Sequence, residues 1–170
     1  MIANASRTAR GPCRTSTPAN NHGIGRQGRA GHDRRWPALA ETLGHLREAG
    51  RHSIRIVDAD CGAGCLLIHA ARYARTLGFM AIEGRGIDGA PQLVGRARAA
   101  AARLGDAAIG LGFEAADLLT ALEEEAEFPA DIVLWHGEPG GLDETRVLAA
   151  LHRAAGRVIT DRSLGMKAGA

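Results

Sequence analysis

From Trp36 onward, segments with helical periodicity alternate with short apolar segments, and this alternation constrains the fold more than any other feature of the chain. In the helical segments, apolar residues repeat every three to four positions. The segments between them predict five strands, at residues 53–58, 85–88, 109–114, 132–135 and 157–160. Strands separated by helices form parallel sheets through right-handed crossovers. The sequence therefore predicts an α/β fold: a doubly wound, Rossmann-like parallel sheet of about five strands with helices on both faces.

Residues 1–35 differ from the rest of the chain in charge. They contain seven arginines and one acid, Asp33, whereas the whole chain of 170 residues has a net charge of only +2. Gly, Pro and Asn recur there without apolar periodicity, and such a segment buries too little surface to offset the entropy lost on ordering it. We therefore expect a disordered basic arm at residues 1–35 and one folded domain at residues 36–170.

Composition argues against several classes of protein. No apolar run approaches the roughly 20 residues that a membrane helix needs, so no membrane partner is expected. Three cysteines are too few for a disulfide framework, which indicates a reducing, cytoplasmic location. No second Cys/His pair stands at zinc-site spacing, so no metal site is expected. Because the basic arm has no aromatic residues for base stacking, nucleic acid is not an expected partner.

The residues that follow the predicted strands form the candidate site, because ligands of doubly wound sheets bind beyond the carboxyl ends of the strands. Asp58 ends the first strand and precedes a glycine loop at residues 59–64, where a ligand can approach the backbone near a helix N-terminus. A pyrophosphate gains nothing from a carboxylate there, whereas an ammonium group does. Asp88 ends the second strand, where an acid can accept hydrogen bonds from both ribose hydroxyls or cap the next helix.

Four segments in this order resemble the motifs of class I S-adenosylmethionine-dependent methyltransferases. They are residues 56–64 (IVDADCGAG), 86–88 (GID), 113–118 (FEAADL) and 131–137 (DIVLWHG). The resemblance covers about residues 36–162. It implies that S-adenosyl-L-methionine is the cofactor, with the first motif at its methionine end, the second at its ribose and the third at its adenine.

The resemblance also implies a role for each site residue. Asp58 faces the methionine ammonium, the loop backbone lies beneath the cofactor, Asp88 holds the ribose and Asp117 contacts the adenine amine. The residues predicted to bind the cofactor are Asp58, Ala59, Asp60, Gly62, Gly64, Asp88, Gly89, Ala116, Asp117, Leu118, Trp135 and His136. His136, which follows a buried strand at the expected mouth of the site, is also the candidate general base, and lining the cofactor pocket is its alternative role.

Two features depart from the family pattern. Asp60 stands where the family usually has its first loop glycine, and its charge would repel the cofactor carboxylate unless it pairs with the ammonium. The sequence also stops shortly after the fifth predicted strand, whereas the family fold normally adds two more. An exposed edge at the fifth strand invites pairing with another chain, so we expect either a homodimer across that edge or a cover formed by residues 161–170.

The sequence thus predicts a methyltransferase that transfers a methyl group to an O, N or C nucleophile of an unidentified small-molecule acceptor. One alternative is a non-catalytic remnant of the fold that binds the cofactor or a partner. Another is a nicotinamide-dependent oxidoreductase, whose glycine loop normally reads G-x-G-x-x-G. Cys65 and Leu66 follow Gly64 here, so the third glycine of that loop is missing.

Overall fold

A computed structural model describes residues 30–137 and 143–161. Five helices and five strands alternate along these residues. The helices are α1 (Trp36–Glu48), α2 (Cys65–Thr76), α3 (Pro91–Ala101), α4 (Leu118–Glu125) and α5 (Glu144–Ala154). The strands are β1 (Ser53–Asp58), β2 (Ala81–Asp88), β3 (Ile109–Ala115), β4 (Ala130–Trp135) and β5 (Ala155–Thr160). Among the described helices, none is long and apolar enough to cross a membrane.

The strands form one parallel sheet in the order β3-β2-β1-β4-β5. The chain winds outward from β1 to β3 and then returns to place β4 on the other side of β1, so the order reverses between β1 and β4. Asp58, the last residue of β1, is in register with Gly86 of β2 and Leu134 of β4. The predicted doubly wound α/β sheet is confirmed, and its switch point lies at the carboxyl ends of β1 and β4.

Two apolar clusters cover the two faces of the sheet. On one face, Ile56 and Leu134 belong to a cluster that includes residues of α1, α2 and α3. On the other face, Val57 and Val133 belong to a cluster that includes residues of α4 and α5. Burial of each such side chain contributes roughly 1.5–3 kcal/mol, which makes the two clusters the main source of stability. The continuous apolar run predicted for β4 is confirmed, because its residues alternate between the two clusters.

The structure corrects the end of the expected basic arm. Residues 30–35 belong to the described part of the chain, and both Ala30 and Arg35 are only 2% exposed. Arg35 is buried because its guanidinium lies against the carboxylates of Asp58 and Asp60 at the end of β1, a contact between residues far apart in sequence. The folded domain therefore begins at least six residues before Trp36, and the rest of the expected arm lies outside the described residues.

Candidate functional site

The turn after β1 brings the backbone to the switch point. Gly62 and Gly64 have positive φ angles of 53° and 73°, a conformation that side chains with a Cβ rarely adopt. A Cβ on Gly64 would also lie 2.7 Å from the ring of Phe113 and 2.9 Å from Ala97, whereas one on Gly62 would meet nothing within 4 Å. Gly64 therefore packs the turn against the neighbouring elements, and Gly62 presents its backbone to open space.

Asp88, at the end of β2, holds this turn in place. Its Oδ2 accepts a hydrogen bond of 2.8 Å from the Gly62 N–H, and its Oδ1 accepts one of 2.7 Å from the Ala90 N–H at the start of α3. An ionised carboxylate has about four lone-pair positions, so each oxygen keeps capacity for a second donor. Asp88 thus lies as an acceptor beside the glycine turn and holds the short turn that leads into α3, whose N-cap is Ala90 and has no side-chain capping bond.

The loop after β3 lies next to Asp88, because Asp88 is in register with Ala115. Asp117 is the N-cap of α4, and its Oδ1 accepts hydrogen bonds of 3.0 Å from both the N–H and the hydroxyl of Thr120. These bonds hold the pKa of Asp117 below its ordinary value. Ala116 and Leu118 are half-buried against the core on the α4 side. The structure therefore brings the predicted adenine-contacting residues to the same sheet edge as the predicted ribose-binding acid.

Arg35, which the sequence reasoning did not place, forms the centre of the site. Its Nη1 donates to Asp58 and Asp60 at 3.2 Å each, while its Nε and Nη2 donate to the two oxygens of Asp33 at 3.0 Å each. Nη2 also lies 2.9 Å from Nε2 of His136. Three carboxylates and one imidazole thus surround a single guanidinium that is almost fully withdrawn from solvent.

The pKa values of the acids in this cluster are shifted in different directions. Asp58 is completely buried, and loss of solvent raises its pKa to about 7 although Arg35 acts to lower it. Burial likewise raises the pKa of Asp60, against the hydrogen bond from the His136 N–H. For Asp33, burial is outweighed by the hydrogen bonds from Arg35, and its pKa falls below the ordinary value. Asp33 is therefore the carboxylate that most firmly holds the charge of the guanidinium.

His136 is placed at the mouth of the site but is already engaged. Arginine has only donors, so the Nε2 facing Arg35 must be an acceptor without a proton. The proton then resides on Nδ1, which lies 3.5 Å from a carboxylate oxygen of Asp161. The side chain is 45% exposed and accessible to an acceptor molecule. In this arrangement His136 has no free lone pair with which to accept a proton.

Two residues predicted to contact the cofactor, Trp135 and Ala59, have buried side chains. The side chain of Trp135 is fully buried in the cluster under α4 and α5, so it faces the core instead of the sheet edge. The continuous apolar run of β4 gave no sign of which face its last residue would take. Ala59 is also buried in that cluster, which leaves only its backbone for a ligand. Gly89 is exposed and follows Asp88 directly.

Cys61 lies in the glycine turn, and its thiol is buried. Burial, together with the nearby acids Asp58 and Asp88, raises the pKa of this thiol to about 12. A thiol with that pKa is not a nucleophile at neutral pH.

A separate cleft of about 270 Å³ lies at the opposite edge of the sheet, lined by residues that include Ser53, Ala81 and Asp131. It is remote from the strand ends that bear the candidate site.

Comparison with known proteins identifies the fold. No family model matches the sequence, and no curated protein matches it. The chain nevertheless shares its fold with a solved methyltransferase. Magnesium protoporphyrin IX methyltransferase from Synechocystis PCC 6803, solved with bound S-adenosylmethionine, superposes with a TM-score of 0.51 at 19% identity, over 83% of this chain and 70% of that one.

The same Synechocystis enzyme solved with bound S-adenosylhomocysteine gives a TM-score of 0.50 at 19% identity, over 83% of this chain and 67% of that one. A putative class I methyltransferase from Listeria monocytogenes matches with a TM-score of 0.45 at 21% identity, over 60% of this chain. The chain spans only 29% of the length of the Listeria protein.

Proposed function

We propose that this chain binds S-adenosyl-L-methionine at the carboxyl edge of the sheet and transfers its methyl group to an O, N or C nucleophile of a small molecule. One observation carries the proposal. Asp88 lies beside the left-handed glycine turn and bonds to the Gly62 N–H, with acceptor capacity remaining on both oxygens. A ribose needs that combination of a carboxylate and a closely approaching backbone.

The described residues fit such a cofactor at both of its ends. At the methionine end, Oδ2 of Asp58 is buried and has no hydrogen-bond partner, which suits an ammonium group with its three donors. At the nucleoside end, Asp88 would hold the ribose hydroxyls, while Ala116, Asp117 and Leu118 would line the adenine. Between them, the backbone of Gly62 would lie beneath the cofactor. Asp60, which replaces the usual glycine, is held by Arg35 and the His136 N–H.

The bound cofactor would supply a sulfonium that is already activated for methyl transfer, so the protein needs mainly to align the acceptor and exclude water. His136 would remove the acceptor proton with Nε2 once that atom is released from Arg35. Its Nδ1 proton, directed at Asp161, would stabilise the imidazolium that forms. The chain thus provides a base and an orienting acid at the mouth of the site.

The charge around the mouth supports a small-molecule acceptor that is neutral or cationic. In the described part of the site, Arg35 pairs with Asp33, Asp58 and Asp60, and a fourth carboxylate, that of Asp161, lies beside His136. A phosphodiester would meet net negative charge there, which disfavours its approach. We therefore propose that nucleic acid is not the acceptor.

A non-catalytic binding protein is the second candidate, favoured by the engagement of both Asp58 and His136 by Arg35. A turnover assay distinguishes the methyltransferase from the non-catalytic binding protein. We would incubate the protein with S-adenosylmethionine and a panel of phenols, amines and carbon acids, and quantify S-adenosylhomocysteine by mass spectrometry. Product formation that depends on an acceptor and is lost in Asp88→Ala supports the enzyme.

Two binding results bear on the remaining alternatives. A rise in melting temperature with S-adenosylmethionine and S-adenosylhomocysteine, but no turnover with any acceptor, would favour the binding protein. A rise with NADH alone would contradict the proposed cofactor and favour an oxidoreductase. Both measurements use the full chain, so they are independent of the boundary of the arm.

We also propose a cytoplasmic homodimer that pairs through the outer edge of β5. In the described residues β5 pairs with β4 on one side, and an open strand edge invites pairing with another chain. Light scattering coupled to size exclusion should give twice the chain mass of 17.8 kDa. The monomer mass at micromolar concentration would contradict this proposal.

A further inference from the structure

The side chain of Arg35 occupies the part of the site that the proposed function gives to an ammonium group. It is 2% exposed, and its nearest carboxylates are Asp33, Asp58 and Asp60. A guanidinium has five N–H donors. Nε uses one on Asp33, Nη1 uses two on Asp58 and Asp60, and Nη2 uses two on Asp33 and His136. Since all five are engaged, Arg35 has none left for the carboxylate of an incoming ligand.

We propose that Arg35 is an internal gate of the cofactor site, which ligands with an amino-acid end must displace and ligands without one need not. The inference rests on the proposed function and concerns how that site selects its ligands. Arg35 bonds to Asp58, the acid assigned to the methionine ammonium, so the two cations compete for one carboxylate. Displacement exchanges the internal cation for the one carried by the ligand.

The contacts of Arg35 show why its side chain can leave. It satisfies only one oxygen of Asp58, and the other remains buried without a partner. Such an oxygen carries a desolvation cost that an additional donor would remove. An ammonium ion, being compact and having three donors, can serve both the oxygen that Arg35 releases and the one it never reached. The resting site is thus incompletely satisfied.

The backbone at Arg35 is held separately from its side chain. The next residue, Trp36, packs its ring against His69 at 4.2 Å and Tyr73 at 5.2 Å between ring centroids. The backbone carbonyl of Arg35 also accepts a hydrogen bond of 3.0 Å from the Leu39 N–H in α1. Helix α1 therefore stays anchored on α2 when the guanidinium swings away, and opening needs only rotation of the long side chain. The movement is a change of rotamer without unfolding of the segment.

Release of Arg35 also prepares His136. The bond between Nη2 and Nε2 of His136 breaks when the guanidinium leaves, which frees the imidazole lone pair. Cofactor binding and availability of the base are thereby coupled through one residue. A ligand that lacks the ammonium would bind without freeing His136. The gate accordingly links recognition of the amino-acid end to readiness for proton removal.

Calorimetric titration of the full chain with S-adenosylmethionine and with 5′-methylthioadenosine tests this gate. The second ligand keeps the nucleoside and the thioether but has no amino-acid end. We expect Arg35→Gln to bind S-adenosylmethionine at least about 10-fold more tightly than the unaltered chain, equivalent to about 1.4 kcal/mol. Its affinity for 5′-methylthioadenosine should stay within about twofold. Arg34→Gln, which removes the same charge from an exposed neighbour, is the matched control and should change neither affinity.

A second variant covers the case in which Arg35→Gln does not fold because three acids lose their cation. Asp33→Asn removes the carboxylate that holds Nε and Nη2 but leaves Asp58 and Asp60 in place. It should shift affinities in the same directions by a smaller factor. Equal or weaker binding of S-adenosylmethionine by the variants that fold would overturn the gate and make Arg35 a positioning residue.

The two ligands separate failure of the gate from failure of the proposed function. If 5′-methylthioadenosine binds all variants equally and S-adenosylmethionine binds none, the nucleoside site stands and the gate is overturned. If neither ligand binds any variant, the proposed function fails and the gate fails with it. Binding of S-adenosylmethionine by the unaltered chain that becomes at least about 10-fold tighter in Arg35→Gln would support both.

Discussion

Replacement of Asp88 separates ligand binding from the stability of the two turns that Asp88 holds. The carboxylate accepts one backbone N–H from the glycine turn, at Gly62, and one from the start of α3, at Ala90. Each bond resembles an N-cap, whose loss typically costs about 1 kcal/mol. Asp88→Ala should therefore lower the free energy of unfolding by about 2 kcal/mol, and Asp88→Asn, which keeps one acceptor, by about 1 kcal/mol.

The effect on ligand affinity is a separate quantity. If Asp88 also accepts both ribose hydroxyls, its removal takes away two charge-assisted bonds that water replaces in part. We expect binding of 5′-methylthioadenosine to Asp88→Ala to weaken about 10- to 100-fold, or about 1.4–2.8 kcal/mol. Asp88→Asn should lie between, because it keeps an acceptor but loses the charge.

Chemical denaturation and calorimetric titration of the same preparations measure the two effects. Asp143→Ala is the matched control. Asp143 caps α5 by accepting a hydrogen bond from the Thr145 N–H, its side chain is exposed, and it is distant in sequence from the glycine turn. It should lose about 1 kcal/mol of stability with unchanged affinity. A folded Asp88→Ala protein that binds the ligand as tightly as the unaltered chain would refute the ribose role and leave Asp88 as a residue that only stabilises the two turns.

Three further predictions concern stability. Burial raises the pKa of Asp58 to about 7 from its ordinary 3.8, so between about pH 4 and 7 the folded protein binds more protons than the unfolded chain, and its stability should fall as pH rises by up to about 1.4 kcal/mol per pH unit. Chemical denaturation at a series of pH values should show a flatter slope for Asp58→Asn, and an unchanged slope would contradict this prediction. Gly64→Ala introduces strain in φ and a clash with the ring of Phe113, whereas Gly62→Ala introduces strain in φ alone. In thermal unfolding, the first should lower the free energy of unfolding by more than about 2 kcal/mol and the second by about 1–2 kcal/mol; equal losses would count against the packing role of Gly64. Glu125, buried between two arginines, should lose about 2 kcal/mol on change to Gln, whereas the exposed Glu123 should lose almost nothing; similar losses would show that burial of the carboxylate is unimportant.

The order and type of the elements could be predicted because each rests on a local pattern. Alternation in 109–114 and the continuous apolar run in 132–135 reflect burial on one or both faces of a sheet, and the structure confirms both strands. The acids at the ends of β1 and β2 could be located for the same reason, since a parallel sheet brings its carboxyl ends to one edge. Asp58 and Asp88 do lie there, on either side of the glycine turn.

Other features depend on contacts that no local pattern encodes. Arg35 is 23 residues from Asp58 and 25 from Asp60, and its segment has no apolar periodicity to indicate that it folds. The one available signal was physical: a completely buried acid such as Asp58 requires a cation, and an arginine next to the first helix can supply it. Glu125 was hidden in the same way, because it belongs to a run of three glutamates at residues 123–125 that is typical of a solvated helix surface, and its two arginine partners lie on strands.

The central claim, that the nucleoside end of the cofactor binds at the carboxyl edge of the sheet, is tested most directly by NMR. A ¹H–¹⁵N spectrum of the labelled full chain would be recorded during titration with 5′-methylthioadenosine. We predict saturable shifts concentrated on the amides of Gly62, Gly89 and Asp117, with the amides of Ser53 and Ala81 at the opposite edge unchanged. Shifts confined to that opposite edge, or none at millimolar ligand, would contradict the account.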